Sequence, residues 1–156
     1  MQKKTLYMET TEVPAERTAS EISACLIQAG ATRIETAYDA GKITGLRWMM
    51  RVAGRDLLFQ MPARVAPVYK ILYKRRRPGF FSNKDQASLQ DKAERVAWRQ
   101  LLRWVQAQIA MIDAGMSEAS EVFFPYMTAA ESGKTIYSLF AEQQFKMLGP
   151  PEEKPQ

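Results

Sequence analysis

The sequence predicts an α+β domain in two layers, with a three- or four-stranded antiparallel sheet packed against helices and one long helix in the second half. Residues 82–116 repeat apolar side chains at helical spacing. Residues 31–61 contain three segments in which apolar and polar side chains alternate, as in half-buried strands. Because 46% of the 156 residues are apolar, one core can be built. We expect a single domain over residues 1–148 and a disordered tail over 149–156.

The first elements are predicted from short local signals. Leu6–Thr11 is polar and β-branched, which favours a short strand. Thr18 and Glu21 have the spacing of a capping box, and apolar residues repeat on one face behind them until Gly30. The pattern therefore predicts a first helix over Ala19–Ala29.

Three strands should follow as an antiparallel meander. Their sequences are ATRIETAY, ITGLRWMMRV and RDLLFQM, and short turns containing Gly41 and Gly54 separate them. In the middle strand, side chains at Leu46, Trp48 and Met50 point one way and the intervening arginines point the other. One face of the sheet is predicted to be core and the opposite face to carry arginines.

The elements after the sheet are predicted to be helical. Pro62 can open a second helix of about ten residues, because a proline at the first helical position costs no hydrogen bond. A short helical turn is expected over Glu118–Phe124 and a last helix over Lys134–Leu148. The order of helix, three-stranded meander and helix in residues 18–73 matches the double-stranded RNA-binding fold. Its usual basic motif is absent, since residues 63–66 read Ala-Arg-Val-Ala, so the match concerns shape alone.

The long helix should have an apolar face and a cationic face. At 100° per residue, six apolar side chains share one arc, namely Trp98, Leu101, Leu102, Val105, Ile109 and Ile112. Four cations, Lys92, Arg95, Arg99 and Arg103, share a stripe on the opposite side. Ser82 or Asn83 can cap the start together with Asp85 or Gln86, and Gly115 can end the helix.

Composition excludes several catalytic chemistries. The chain has no histidine and one cysteine, so histidine-based triads, histidine metal sites and thiolate zinc sites cannot form. Glu35 and Asp39 are close enough in sequence to suggest magnesium, but solvated acids are the favoured interpretation. We expect no catalytic residues, no metal site and no cofactor, with a small enzyme as the third-ranked hypothesis.

The segment TAAESGKT, residues 128–135, ends like a phosphate-binding loop. Thr128 stands where the motif needs its first glycine, and no buried strand precedes it. A single glycine does not let the backbone wrap a phosphate. The favoured interpretation is a turn before the last helix.

Basic residues are the strongest functional signal, because the net charge is +5 and the cations cluster. A surface of this kind binds nucleic acid with little sequence preference, and Phe80 and Phe81 beside it could stack on unpaired bases. For each element alone, a solvated loop or an ordinary solvent-exposed helix face is the favoured interpretation, and it is the adjacency of the two cationic elements that supports a binding surface. The predicted nucleic-acid-binding residues are Lys74, Arg75, Arg76, Arg77, Arg95, Arg99 and Arg103.

Two blocks of the chain resemble known small proteins. These blocks are TEVPAERTASEISACLIQAGATRIETAYDAGKITGLRW and ERVAWRQLLRWVQAQIAMIDAGMSEASEVFFPY. They resemble uncharacterised accessory proteins encoded by bacteriophages, prophages and integrative elements. The resemblance implies a bacterial cytoplasm and a role in replication, recombination or conflict with the host, and it implies no functional residues.

The leading hypothesis is therefore a non-enzymatic accessory protein that binds DNA or RNA. The rival is a protein-binding module, either an oligomer or an inhibitor of a host defence or replication factor, using Met49, Phe80, Phe81 and Tyr126. We expect no membrane partner, because the apolar runs are far shorter than the roughly 20 residues that cross a bilayer.

Overall fold

The computed structural model describes residues 4–150 and has the predicted α+β architecture. A three-stranded antiparallel sheet carries helices on one face, and one helix is much longer than the others. A single-turn 3-10 helix, Phe124–Tyr126, also occurs between the last two helices. The elements in chain order are α1 (Ala15–Gln28), β1 (Ala31–Asp39), β2 (Lys42–Val52), β3 (Arg55–Pro62), α2 (Val65–Arg75), α3 (Asn83–Asp113), α4 (Ala119–Val122) and α5 (Ile136–Glu142).

The sheet is the predicted meander, in the order β1-β2-β3. Trp48 in the central strand lies opposite Ile34 on one side and Phe59 on the other, which aligns the three inward-facing side chains. Both connections are Ala-Gly pairs in which the two residues have positive φ, the geometry that two-residue hairpins need. Gly45 allows close pairing with β3, because a Cβ at this position would lie 2.8 Å from the Met61 carbonyl oxygen.

The core lies between the sheet and α3. Trp98, Leu102, Val105 and Ile109 are buried, as the helical periodicity predicted. Their partners come from β2 and β3, where alternate side chains face the helix layer. Burial of this many large apolar groups is the main stabilising contribution to the fold.

Helix α3 begins and ends where the sequence predicted. The Ser82 side chain accepts a hydrogen bond from the Asp85 backbone N–H, and Asp85 accepts one from the Ser82 backbone N–H. Gly115 follows the helix with φ +71°, a conformation that favours glycine. The helix has 31 residues, which corresponds to roughly 45 Å at 1.5 Å per residue. It therefore spans the whole helix layer.

A second, smaller core joins α2 to the first half of α3. Val68 and Leu72 of α2 pack against Ala93 and Val96 of α3, and Leu6 of the N-terminal segment packs on the same cluster. The N-terminal segment is thereby held against the helix layer. This contact explains why α3 is buried on more than the single face that its periodicity predicted.

Two predictions for the N-terminal part were wrong. Leu6–Thr11 forms turns instead of a strand, and backbone hydrogen bonds join Glu9 to Leu6 and Thr11 to Met8. The first helix starts at Ala15, directly after Pro14, so Thr18 is buried inside it and does not cap it. Proline immediately before a helix is a start signal that the capping-box pattern obscured.

The predicted boundaries after the sheet also need correction. Pro62 ends β3, and α2 begins at Val65. The last helix ends at Glu142, because the next turns contain Gln144 and Phe145 at positive φ. Most of the predicted tail, residues 151–156, lies outside the described residues.

The C-terminal segment covers part of the free edge of β3. The Thr128 backbone N–H donates to the Leu58 carbonyl at 2.8 Å, and Met127 bridges Phe59 in antiparallel fashion. This is an isolated bridge, so the sheet has three strands. In residues 4–150, no helix is both long and apolar enough to cross a membrane.

Candidate nucleic-acid interface

A shallow groove of about 390 Å³ lies between the loop after α2 and the first turns of α3. We call it the basic groove. Four of its side chains are cationic and one is acidic. Its lining consists of Arg76, Arg77, Phe80, Phe81, Asp85, Ser88, Leu89, Lys92 and Arg95.

Arg76 fixes the shape of the loop wall. Its guanidinium lies 4.4 Å from the ring centre of Tyr73 and 4.6 Å from that of Phe81, so it is sandwiched between two aromatic rings. One terminal nitrogen donates to the Tyr73 hydroxyl at 3.0 Å, and the other donates to the Arg77 and Gly79 carbonyls. A planar, multiply bonded guanidinium of this kind holds a loop in one conformation.

The tip of the loop presents an aromatic ring to solvent. Phe80 is 94% exposed, the highest exposure among the large apolar side chains of the described residues. Its neighbour Phe81 is half-buried against Tyr73 and Arg76. Gly79, at φ +144°, provides the backbone conformation that turns the chain before Phe80. The Phe80 ring is therefore in solvent, whereas the Phe81 ring holds the loop against Tyr73 and Arg76.

The wall of the basic groove that α3 forms carries two cations, Lys92 and Arg95, and one acid, Asp85. Lys92 is half-buried, and Arg95 forms an ion pair with Asp91 and donates to the Thr11 carbonyl. Hydrogen bonds from the Ser82 side chain and backbone hold the pKa of the Asp85 carboxyl below its ordinary value, so Asp85 is charged at neutral pH.

Three of the predicted cations are engaged in ion pairs. Arg75 contacts Glu9 at 3.2 Å and Arg99 contacts Glu21 at 2.9 Å. Arg95 is the third, since Glu12 also lies 3.9 Å from its guanidinium. These carboxylates belong to the N-terminal segment and α1, which cover this side of α3. The expectation of a continuous stripe of free cations along α3 was therefore wrong.

Three of the four remaining predicted residues are exposed, and Arg76 is half-buried. Lys74 and Arg77 are exposed, and Arg103 is exposed with a 3.2 Å hydrogen bond to Gln106. The structure brings Arg76, Arg77 and Arg95 together in the basic groove and leaves the other four predicted residues outside it. Ser88 was missed, although residues 85, 88, 92 and 95 follow the i, i+3, i+7 spacing of one helix face.

Residues that the sequence suggested for other kinds of site form ion pairs, helix caps or core contacts in the structure. Glu35 forms an ion pair with Arg33 at 3.0 Å, and no group of three potential metal-ligating residues occurs within residues 4–150. Thr135 caps α5 by accepting from the Ser138 backbone N–H, as expected for a turn before a helix. The Tyr126 ring packs edge-on against Trp104 at 5.6 Å, so it belongs to the edge of the core.

Comparison of the chain with family models, with curated proteins and with solved structures found no match. The geometry of the basic groove is therefore the feature from which a function is inferred.

Proposed function

We propose that the protein binds single-stranded nucleic acid in the basic groove. The observation that carries this proposal is Phe80, a 94% exposed aromatic ring at the rim of a groove that four cations line. An exposed phenylalanine side chain contributes almost nothing to the stability of the folded state, because the stabilising effect of an apolar side chain comes from its burial. Stacking on an unpaired base gives this ring a use, and neighbouring cations can contact the adjoining phosphates.

The charge balance favours a phosphate backbone as the ligand. Arg76 has no carboxylate within 4 Å among the described residues, and neither does the exposed Arg77. Asp85 opposes them with a single negative charge. Phosphates would be attracted through release of their counterions, which makes binding dependent on salt and tolerant of sequence.

The proposed binding set differs from the one that the sequence predicted. It comprises Arg76, Arg77, Phe80 and Lys92; Arg95 also lines the basic groove, but its guanidinium is paired with Asp91. Arg75 and Arg99 are assigned to holding the fold together, since each has a carboxylate partner at hydrogen-bond distance.

A setting for this activity comes from the resemblance to accessory proteins of bacteriophages and integrative elements. We place the protein in the cytoplasm of a bacterial host, acting without catalysis on single strands exposed during replication or recombination. Sequence-tolerant contacts suit such a role, because the protein would meet many different sequences.

Fluorescence anisotropy with a labelled oligonucleotide of about 15 nucleotides tests the proposal. Single-stranded DNA, single-stranded RNA and duplex DNA are compared at about 50 and 200 mM salt. We expect the single strands to bind more tightly than the duplex and to lose affinity as salt rises. Equal or absent binding of all three at low salt would contradict the proposal.

Two substitutions locate the binding site. Phe80→Ala should weaken binding about tenfold, because stacking on an aromatic ring contributes about 1–3 kcal/mol per base. Arg77→Ala should reduce the slope of log affinity against log salt by about 0.7, the value for one phosphate contact with a single strand. The matched controls are Tyr38→Ala, an exposed aromatic residue in β1, and Arg55→Ala, an exposed cation in β3.

The rival function, binding of a protein partner, uses the same exposed ring and predicts a different result. A hydrophobic contact through Phe80 would be insensitive to salt and to Arg77→Ala. If Phe80→Ala and Tyr38→Ala leave nucleic-acid affinity equally unchanged, the stacking role of Phe80 is wrong.

A further inference from the structure

The outer edge of β1 is an unpaired strand edge. The sheet order places β1 at one side, and no segment within residues 4–150 pairs with its outer backbone groups. The other side of the sheet differs, since Met127 and Thr128 cover part of β3. β1 has nine residues, and an open edge of this length is a template for a further strand.

The sequence of β1 is complementary to itself when it is reversed. Residues 31–37 read Ala-Thr-Arg-Ile-Glu-Thr-Ala, with Ile34 at the centre. In an antiparallel pair of two such strands centred on Ile34, Arg33 of each copy lies opposite Glu35 of the other. The two isoleucines then face each other, and threonine faces threonine. Opposite charges and β-branched residues directly across an antiparallel pair are stabilising.

We propose that two copies of the chain associate through β1, antiparallel about a twofold axis at Ile34, to form a continuous six-stranded sheet. A twofold axis between antiparallel strands keeps the two helix layers on the same side of the sheet. In an antiparallel pair, residues directly opposite each other have their side chains on the same face of the sheet. The twofold symmetry is therefore possible only when one residue of β1 lies opposite its own copy in the other chain. A shift of the centre to Arg33 or to Glu35 would place identical charges opposite each other, so the charge pattern disfavours both neighbouring registers.

The side chains needed for this contact are accessible. Arg33 and Glu35 have side-chain exposures of 67% and 46% and already pair with each other at 3.0 Å within one chain. In the dimer the two pairs would form an alternating square of four charges on the open sheet face. Ile34 lies on the opposite face of β1, half-buried against the core, and would gain a second apolar neighbour.

The proposed contact between the two β1 strands involves few residues, so we expect the dimer to be weak. The register between β1 and β2 is irregular at Ala31/Arg33 and at Ala37/Tyr38, so the regular ladder covers little more than the central residues. An interface of this size is well below the usual ~1,600 Å² of stable complexes. We expect a dimer that dissociates on dilution, with a dissociation constant in the micromolar range, roughly 10–100 µM.

Sedimentation velocity of the full chain between about 1 and 500 µM measures this equilibrium. We expect the wild-type protein to move from monomer to dimer over that range. Glu35→Arg and Arg33→Glu each place like charges across both symmetric pairs, and each should raise the dissociation constant about tenfold or more. Arg51→Glu reverses a charge on the same face, in β2 opposite Asp56 and away from the edge, and should leave the equilibrium unchanged.

Mixing the two single variants gives the sharpest test. In a pair made of one Glu35→Arg chain and one Arg33→Glu chain, both cross-strand pairs again have opposite charges, so the mixture should dimerise while neither variant does so alone. A misfolded variant could not be rescued in this way, and circular dichroism checks the fold of each. A wild-type monomer at every concentration, or a mixture no more associated than its components, would overturn the proposal. The basic groove contains no residue of β1, so this outcome is independent of nucleic-acid binding.

Discussion

Arg99 of α3 donates a hydrogen bond of 2.9 Å to Glu21 of α1. The two residues are 78 positions apart in sequence, and the Arg99 side chain is 16% exposed. The same guanidinium nitrogen lies 3.4 Å from the hydroxyl of the buried Thr18. This ion pair joins α1 to α3, and its Arg99 side is largely covered whereas the Glu21 side chain is 37% exposed.

Substitution of Arg99 should therefore destabilise the fold. Arg99→Ala leaves the Glu21 carboxylate without its closest partner, and we expect the free energy of unfolding to fall by about 1–2 kcal/mol, between the values for exposed and buried pairs. Arg103→Ala is the control on the same helix, because Arg103 is exposed and its one side-chain hydrogen bond among the described residues is to Gln106. Its effect should stay within about 0.5 kcal/mol. Urea unfolding measures both, and equal effects would contradict the structural role of Arg99.

The same pair shows what a single sequence can and cannot predict. Helical periodicity located the buried face of α3 at Trp98 and Leu102, because that information lies within the helix itself. The same periodicity assigned Arg95 and Arg99 to a solvent-exposed face of α3. Their ion-pair partners, Glu12 and Glu21, come from segments distant in sequence. The spacing of the arginines along α3 therefore could not predict these ion pairs.

Backbone conformation limited the other predictions. The Ala-Gly hairpin turns and the Gly115 helix end were predictable, since glycine signals positive φ. The end of α5 was not, because Gln144 and Phe145 adopt positive φ without any glycine to signal it. In the basic groove, the sequence identified the cations and Phe80, but only the fold distinguishes the cations that line the groove from those that hold helices together.

A cluster of aromatic rings should make Phe123 essential to the C-terminal half. Its ring is completely buried and lies 5.4 Å from Trp48 and 5.9 Å from Trp104, measured between ring centres. Phe123→Ala should lower the free energy of unfolding by about 3–5 kcal/mol, the usual cost of an emptied aromatic site. The adjacent Phe124 is 50% exposed, so Phe124→Ala should cost less than about 1 kcal/mol. Thermal unfolding followed by tryptophan fluorescence separates them, and a similar loss from both would contradict the assignment.

The capping box of α3 should make stability depend on pH in the acid range. The pKa of Asp85 is lowered by its hydrogen bonds to Ser82, so the folded state binds this proton less readily than the unfolded state. The stabilisation is therefore present above the ordinary carboxyl pKa, near 4, and is lost as the pH falls through the lowered folded value. Ser82→Ala should reduce stability at pH 7 and flatten this dependence below about pH 4.

Urea midpoints between about pH 2.5 and 7 measure the effect of Ser82→Ala. The control is Ser88→Ala, an exposed serine nearly two turns further along α3 (about 3.6 residues per turn) that makes no side-chain hydrogen bond within the described residues. A parallel pH dependence for the wild type and Ser82→Ala would show that the capping box does not hold the pKa of Asp85 down.

Arg76 should control the rigidity of the loop that presents Phe80. Its guanidinium contacts two rings and two backbone carbonyls, so the loop conformation depends on the planar group as well as on its charge. Lysine keeps the charge but cannot span these partners. We expect Arg76→Lys to lower the backbone NMR order parameters of Arg77 and of residues 79–81 from the rigid range near ~0.85 towards ~0.6, because the cation–π contacts that hold the loop are lost. Arg77→Lys, at an exposed position without such contacts, should leave these order parameters unchanged.

The same substitution separates pre-organisation of the loop from charge in nucleic-acid binding. If Phe80 stacks on a base, a mobile loop must be ordered at the moment of binding, and that entropic cost lowers affinity even though the charge remains. Arg76→Lys should then weaken single-strand binding about threefold to tenfold without changing the salt slope, whereas Arg77→Ala changes the slope. A reduced slope for Arg76→Lys would show that the substitution loses a phosphate contact in addition to loop order, and an unchanged affinity would show that the rigidity of the loop does not contribute to binding.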